Sequence, residues 1–182
     1  MTGTRDGIVY KETVETLINR VLRSRQLLTP DVQHELLEIG VDVARLSDVY
    51  FATWVKLLEY CATLGTPAMP AEVALNRLGH RWIEAYFQTF IGKAALMFAR
   101  VVGPKQVLMT MADKWRSTNN FYVATSIDRG PKHVEINLNV GGAIRHFNSG
   151  VLEEVLSTMG ITTGRVETVD LDGQSRFTVT WT

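Results

Sequence analysis

The feature that most constrains this chain is a change of hydrophobic period near residue 120. Before it, apolar residues recur every three or four positions, the spacing of helices with one buried stripe. After it they recur every second position, the spacing of strands with one wet face. Val134, Ile136, Leu138 and Val140 alternate with His133, Glu135, Asn137 and Asn139. Strand-like runs cover residues 120–127, 133–140, 166–171 and 176–181, and one helix, residues 147–159 followed by Gly160, divides them into two pairs. Asp128-Arg129-Gly130-Pro131 supplies one hairpin turn and Asp172-Gly173 the other. This order predicts an α+β fold: an N-terminal helical part (1–117), then an antiparallel sheet in strand–strand–helix–strand–strand order (118–182), within a single domain 1–182.

The helical part is readable from its stripes and stops. Val14, Leu17, Ile18, Val21 and Leu22 form one apolar face. Thr29-Pro30 reads as an N-cap and first helical residue, because proline has no amide to lose there. Val32, Leu36 and Leu37 are expected to face the core, and Gly40 to end the helix. Ser47 is a candidate cap for the next helix, whose stripe is Val49, Tyr50, Thr53, Trp54, Leu57, Leu58 and Cys61 and whose stop is Gly65-Thr66-Pro67. Pro70 opens a long stretch carrying Val73, Ala74, Leu78, Trp82, Ile83, Tyr86, Phe87, Phe90 and Ile91. Gly79 and Gly92 mark a break or a close backbone approach, with Gly92 the expected divider. Residues 94–102 are apolar nearly all round, which predicts burial. Gly103-Pro104 starts a short helix to about Trp115.

Composition removes several functions. Lysine plus arginine equals aspartate plus glutamate, and no basic cluster alternates with aromatics, so no nucleic-acid partner is expected. No run approaches the roughly 20 apolar residues of a membrane span, and residues 1–6 lack a signal-peptide layout, which points to the cytoplasm. The single cysteine, Cys61, sits on a helical stripe and reads as a small core hydrophobe. His34 with Glu38, and His80 with Glu84, share helix faces, yet no third ligand follows, so both read as solvated faces and no metal is expected. Asn148-Ser149-Gly150 lacks the framing of a nucleophile elbow and reads as a helix cap. Gly141-Gly142 carries no phosphate-loop pattern, and Asp170 and Asp172 sit beside a hairpin turn. No nucleophile, base and orienting group come together, so no catalytic residues and no enzymatic role are assigned.

The aromatic group is the positive signal. Trp82, Tyr86, Phe90 and Met97 fall at helical spacing and Trp115 lies farther on. Such a set lines either a plain core or an apolar pocket between helices and sheet.

The chain resembles a paralogous family of uncharacterised myxobacterial proteins of similar length. The resemblance runs through Gly40-Val41-Asp42, Tyr50 with Trp54, Leu78-Gly79 on to Thr89-Phe90-Ile91-Gly92, Gly103-Pro104, Asn119-Asn120 and the closing strand 177–181. In architecture it is similar to the haem nitric-oxide/oxygen sensors and the 4-vinyl-reductase-type ligand-binding domains. That likeness implies ligand sensing, and often pairing of domains. The gas sensors carry a proximal histidine on a helix before the sheet, whereas residues 108–115 contain none. Their Tyr-x-Ser-x-Arg propionate motif is also missing, since Tyr122, Ser126 and Arg129 are wrongly spaced. Of the histidines, His80 is the one left as an outside ligand. A cysteine-rich metal site of the vinyl-reductase type cannot form with Cys61 alone.

The reading is a non-enzymatic regulatory or sensory domain that binds a small hydrophobic ligand in an apolar pocket. Trp82, Tyr86, Phe90, Met97 and Trp115 are its lining, and no cofactor is assigned. The alternative is a protein–protein interaction module or homodimeric adaptor with a filled core, pairing through the strand that ends at Trp181 as an edge. The partners would be the ligand, a second copy or a signalling protein.

Overall fold

The computed structural model describes residues 7–64 and 68–182; residues 1–6 and the Gly65-Thr66-Pro67 stop lie outside them. The chain runs through strand β1 (Ile8–Val9) and helix α1 (Lys11–Glu15), which continues as a π-helical run, Thr16–Leu22, and a 3-10 turn, Arg23–Arg25. Then come α2 (Pro30–Ile39), β2 (Val49–Tyr50), α3 (Phe51–Thr63), α4 (Ala71–Phe87), α5 (Phe90–Val102) and α6 (Pro104–Arg116). The sheet part follows: β3 (Ala124–Gly130), β4 (His133–Leu138), α7 (Ile144–Thr158), β5 (Arg165–Leu171) and β6 (Gln174–Thr180). This is the α+β order read from the sequence.

Several local rules hold as written. Thr29 Oγ1 accepts from the Val32 amide at 3.3 Å, and Gly40 ends α2 with φ of 100°. The α1 stripe is buried from Val14 to Leu22, and Cys61 is buried beside Trp54, Leu57 and Leu58. Burial alone pushes the Cys61 thiol far up, so it is an inert core group.

The antiparallel sheet has strand order β3-β4-β6-β5. Val134, Ile136 and Leu138 on β4, with Phe177 and Val179 on β6, make its buried face. β6 is internal, paired on one side with β4 and on the other with β5. The strand ending at Trp181 is therefore not an edge, and dimerisation by extending it is overturned. Asp170 ties the second hairpin to the α7 entry: its carboxylate accepts from the Gly142 and Gly173 amides and from Arg145.

Other expectations are corrected by packing. Leu37 points to solvent at 55% exposure, because α2 covers the core with one narrow stripe. Ser47 caps nothing; Asp48 instead accepts from the Lys11 amide at 2.8 Å and Val49 pairs with Val9, so the chain enters α3 from a short strand. The break between α4 and α5 falls at Gln88 and Thr89, where Thr89 Oγ1 accepts from the Gly92 amide at 2.9 Å. Gly92 lies in the first turn of α5 rather than at the division. It is there because any Cβ would strike the Tyr86 carbonyl. Residues 94–102 are not buried all round: Ala99 is buried, but Met97, Phe98 and Val101 are exposed.

Candidate functional site

A cavity of about 840 Å³ lies between the N-terminal helices and the sheet part. Its wall is assembled from α1 and its π-helical continuation, α4, α5, α6, the Asn119–Tyr122 loop and α7. The α4–α7 side is aromatic. Trp82 stacks on Tyr86 with rings 5.9 Å apart and 6° from parallel, and Phe147 of α7 meets Trp82 edge-on at 6.1 Å. Trp82 Nε1 donates to the Thr13 carbonyl at 3.3 Å, which fixes the indole against α1. Trp115 closes another side from α6 and packs on Phe177 of the sheet at 6.1 Å. The exposed wall residues come from α1 and its continuation, from α5 and from α6 and its end: Glu12, Arg20 and Arg23, Ile91 and Phe98, and Lys114 and Ser117. They place the mouth among those three elements.

Of the residues expected in the lining, Trp82, Tyr86 and Trp115 are brought together in this wall. Phe90 and Met97 are not; they lie on the outer face of α5 at 91% and 71% exposure. α5 turns Ala95, Leu96 and Ala99 to the cavity, and the stripe carrying Phe90, Met97 and Val101 lies on its opposite side. Sequence reasoning missed Phe147, Val151 and Val155 of α7 and the α1 face carrying Thr13 and Thr16, all of which line the cavity. Their three- and four-residue spacing is visible in the sequence, but nothing in it sets them apart from other helix positions.

Asn148 is a buried polar residue of this wall, as are Thr13, Thr16 and Asn119. It was expected to cap a helix, but α7 begins at Ile144 and carries Asn148 in its second turn, fully buried. Its amide nitrogen meets no acceptor at full hydrogen-bond geometry among the described residues, although the Tyr122 phenol lies near enough to feel it. Nearby Tyr122 is also buried, and burial pushes its phenol far up, against a smaller opposing pull from the Asn148 side chain. Ser149, the other expected cap, donates from Oγ to Glu153 at 3.0 Å.

His80 is not on a solvated face either. It is clamped between helices, with Nε2 2.9 Å from Glu153 and Nδ1 3.0 Å from Glu154, both on α7. Asn76 donates to the same Glu153 carboxylate at 3.2 Å. The hydrogen bond to Glu153 raises the His80 pKa, with burial opposing and Glu154 adding. Glu84, the expected helix-face partner of His80, lies 3.6 Å from Arg25 instead. Among the described residues no group of three or more His, Cys, Asp or Glu is placed to hold a metal ion.

In fold the chain is similar to H-NOX domains. It aligns with the F78L Tt H-NOX at TM-score 0.66 and 17% identity, covering 93% of this chain and 92% of that one. It aligns with the Fe(II) unliganded H-NOX protein from K. algicida at TM-score 0.69 and 8% identity, covering 95% and 96%. An oxygen-binding H-NOX domain related to soluble guanylate cyclases aligns at TM-score 0.65 and 16% identity, covering 93% and 92%. No protein with a curated description matches. At these identities the likeness is one of fold.

The donor set of the wall bears on haem, the group that the names of these relatives imply. None of the described wall residues is a histidine or a cysteine. Both ring nitrogens of His80 are taken by α7 carboxylates, and His80 is not in the wall. The phenols of Tyr86 and Tyr122 are pushed up by burial, away from the phenolate that would ligate iron. Haem held through an imidazole does not fit this cavity. The family described as a protein of unknown function (DUF2378) matches residues 7–182, so the chain belongs to that family.

Proposed function

We propose that this protein is a cytoplasmic, non-enzymatic sensory domain that takes a small hydrophobic molecule into the α4–α7 cavity. The observation that carries this reading is the cavity itself. About 840 Å³ is within the range of pockets that enclose a small ligand, and Trp82, Tyr86, Phe147 and Trp115 give it an apolar wall. The buried Asn148 amide, beside the Tyr122 phenol, adds a polar fixing point of the kind such pockets use. The likeness to H-NOX domains supports sensing as the class of task, with a ligand other than imidazole-bound haem. A guest would shift α5 against the α4–α7 pair, which is locked together at Gly79 and Gly150, and a signalling protein would read that change on the outer surface. A filled-core interaction module fits less well, because the space between the helices and the sheet part is not filled.

The test is uptake of an apolar probe by the purified chain. Native mass spectrometry and 1-anilinonaphthalene-8-sulfonate fluorescence should show one bound guest or probe, and binding should raise the Tm because it favours only the folded state. Ala95→Phe, which fills the cavity from α5, should lose uptake while keeping the fold. Uptake unchanged in Ala95→Phe, or no uptake at all by the parent chain, would sink the reading.

A further inference from the structure

Helix α5 is packed inside out. Gly92, Ala95 and Ala99 face the body of the protein, with Gly92 pressed on the Tyr86 carbonyl. Phe90, Ala94, Met97 and Val101, spaced four, three and four residues apart, form a continuous outward stripe. Phe90 and Val101 are 91% and 85% exposed. Ile91 and Phe98 flank that stripe, exposed and also lining the cavity. The only charges on α5 are Lys93 and Arg100, seven residues apart and therefore along one edge of the stripe. Between residues 88 and 112 the chain carries Lys93, Arg100 and Lys105 and no aspartate or glutamate, although its net charge is zero. Lys105 is held by Asp128 at 2.7 Å; Lys93 and Arg100 are in no ion pair among the described residues.

We propose that this face docks on the surface of an anionic lipid bilayer, with α5 lying in the interface and the cavity mouth opening beside it. An apolar arc edged by cations is the chemistry of a helix that sinks its greasy side to the depth of the headgroups while its cations meet lipid phosphates. A second copy of the chain is a poor occupant. Two α5 helices laid together would set Lys93 and Arg100 against their counterparts, with no acidic residue on the helix to answer them. The mouth continues the same polarity. Arg20, Arg23 and Lys114 stand there with Glu12 and Glu15, and Glu15 is already engaged by Lys11 at 3.3 Å. Ile91 and Phe98 make the outer stripe continuous with the cavity wall, so an apolar guest dissolved in a bilayer has an unbroken oily route inward.

The experiment is co-sedimentation of the full chain with vesicles of phosphatidylcholine, with and without phosphatidylglycerol. Binding should require the anionic lipid and fall with added salt. The double variant Met97→Glu/Val101→Glu should weaken it by at least about tenfold, and Lys93→Glu/Arg100→Glu should abolish the preference for phosphatidylglycerol. All four positions are exposed, so far-ultraviolet circular dichroism and Tm should match the parent, which separates lost docking from lost folding. The proposal is overturned by no sedimentation with anionic vesicles, or by equal sedimentation of the parent and Met97→Glu/Val101→Glu. A parent dimer in light scattering that dissociates in the same variant would assign the face to a second copy and also overturn it.

Discussion

The α4–α7 crossing and helix α5 use small residues in opposite ways. At the crossing, Gly79 lies against the Phe147 carbonyl and Gly150 against the Asn76 carbonyl, so the helix backbones touch. Around those contacts the space is filled by Leu75, Leu78, Val151 and Leu152, all buried. On α5, Gly92, Ala95 and Ala99 also face inward, yet only Gly92 is pressed on backbone; Ala95 and Ala99 look onto a cavity. The same residue class closes one interface and leaves the other open. What decides is whether the partner helix brings its own bulk to the gap. α7 does, and across the cavity nothing does.

That contrast can be broken most severely at the crossing. Gly150→Ala places a Cβ on the Asn76 carbonyl, and neither atom belongs to a flexible side chain that could yield. Alanine is intrinsically better than glycine in a helix by about 1 kcal/mol. A net loss of about 3 kcal/mol or more in urea unfolding would therefore report the forced separation of α4 and α7. A neutral or stabilised Gly150→Ala variant would show that the helices do not touch there.

The His80 clamp sharpens the comparison at an intermediate level. The His80 pKa is raised above its ordinary 6.5, mainly by the hydrogen bond to Glu153. Its contribution is complete below pH 6.5 and is lost as pH rises through the raised value. Burial pushes Glu153 up, but hydrogen bonds from His80, Asn76 and Ser149 outweigh it and leave the carboxyl below its ordinary 4.5. Its contribution is complete above pH 4.5 and is lost as pH falls through the lowered value. Parent and His80→Gln should thus differ most between pH 4.5 and 6.5 and converge above the raised histidine value. The groups are partly exposed, so the gap should stay under about 1 kcal/mol. Urea titrations within that range and again above the raised histidine value measure it, and a gap that widens toward alkaline pH would contradict the clamp.

The smallest effect is expected on the outer face of α5. Phe90→Ser and Val101→Ser should each change stability by no more than about 0.5 kcal/mol, although both remove a large apolar group. A larger loss would mean that these side chains are covered within the monomer, and the inside-out description of α5 would fail.

Much of the architecture was legible because it is encoded in neighbours along the chain. The change of period near residue 120, the Thr29 cap with Pro30, the Gly40 stop and the Asp172-Gly173 turn each depend on local geometry, and each is found in place; the first hairpin turn falls at Pro131-Lys132, because residues 128–130 continue β3 with an irregular register. The site was legible only in part. Trp82, Tyr86 and Trp115 share a wall, but their spacing could not say that Phe147 would complete it, because that contact joins residues more than sixty positions apart. The His80 partners were hidden for the same reason: the sequence offers Glu84 four residues away, and packing chooses Glu153 and Glu154.

By itself the sequence determined which stretches are helices and strands, their order, and the position of each apolar stripe on its element. Only the tertiary structure decided which way those stripes face. A hydrophobic period records that one side of a helix differs from the other, not what lies against it. On α5 the side carrying Gly92, Ala95 and Ala99 met the protein and the side carrying Phe90, Met97 and Val101 met solvent, which is why residues 94–102 read as buried all round and proved half surface. Burial is a property of pairs of surfaces, and the second surface is supplied by chain that is distant in sequence.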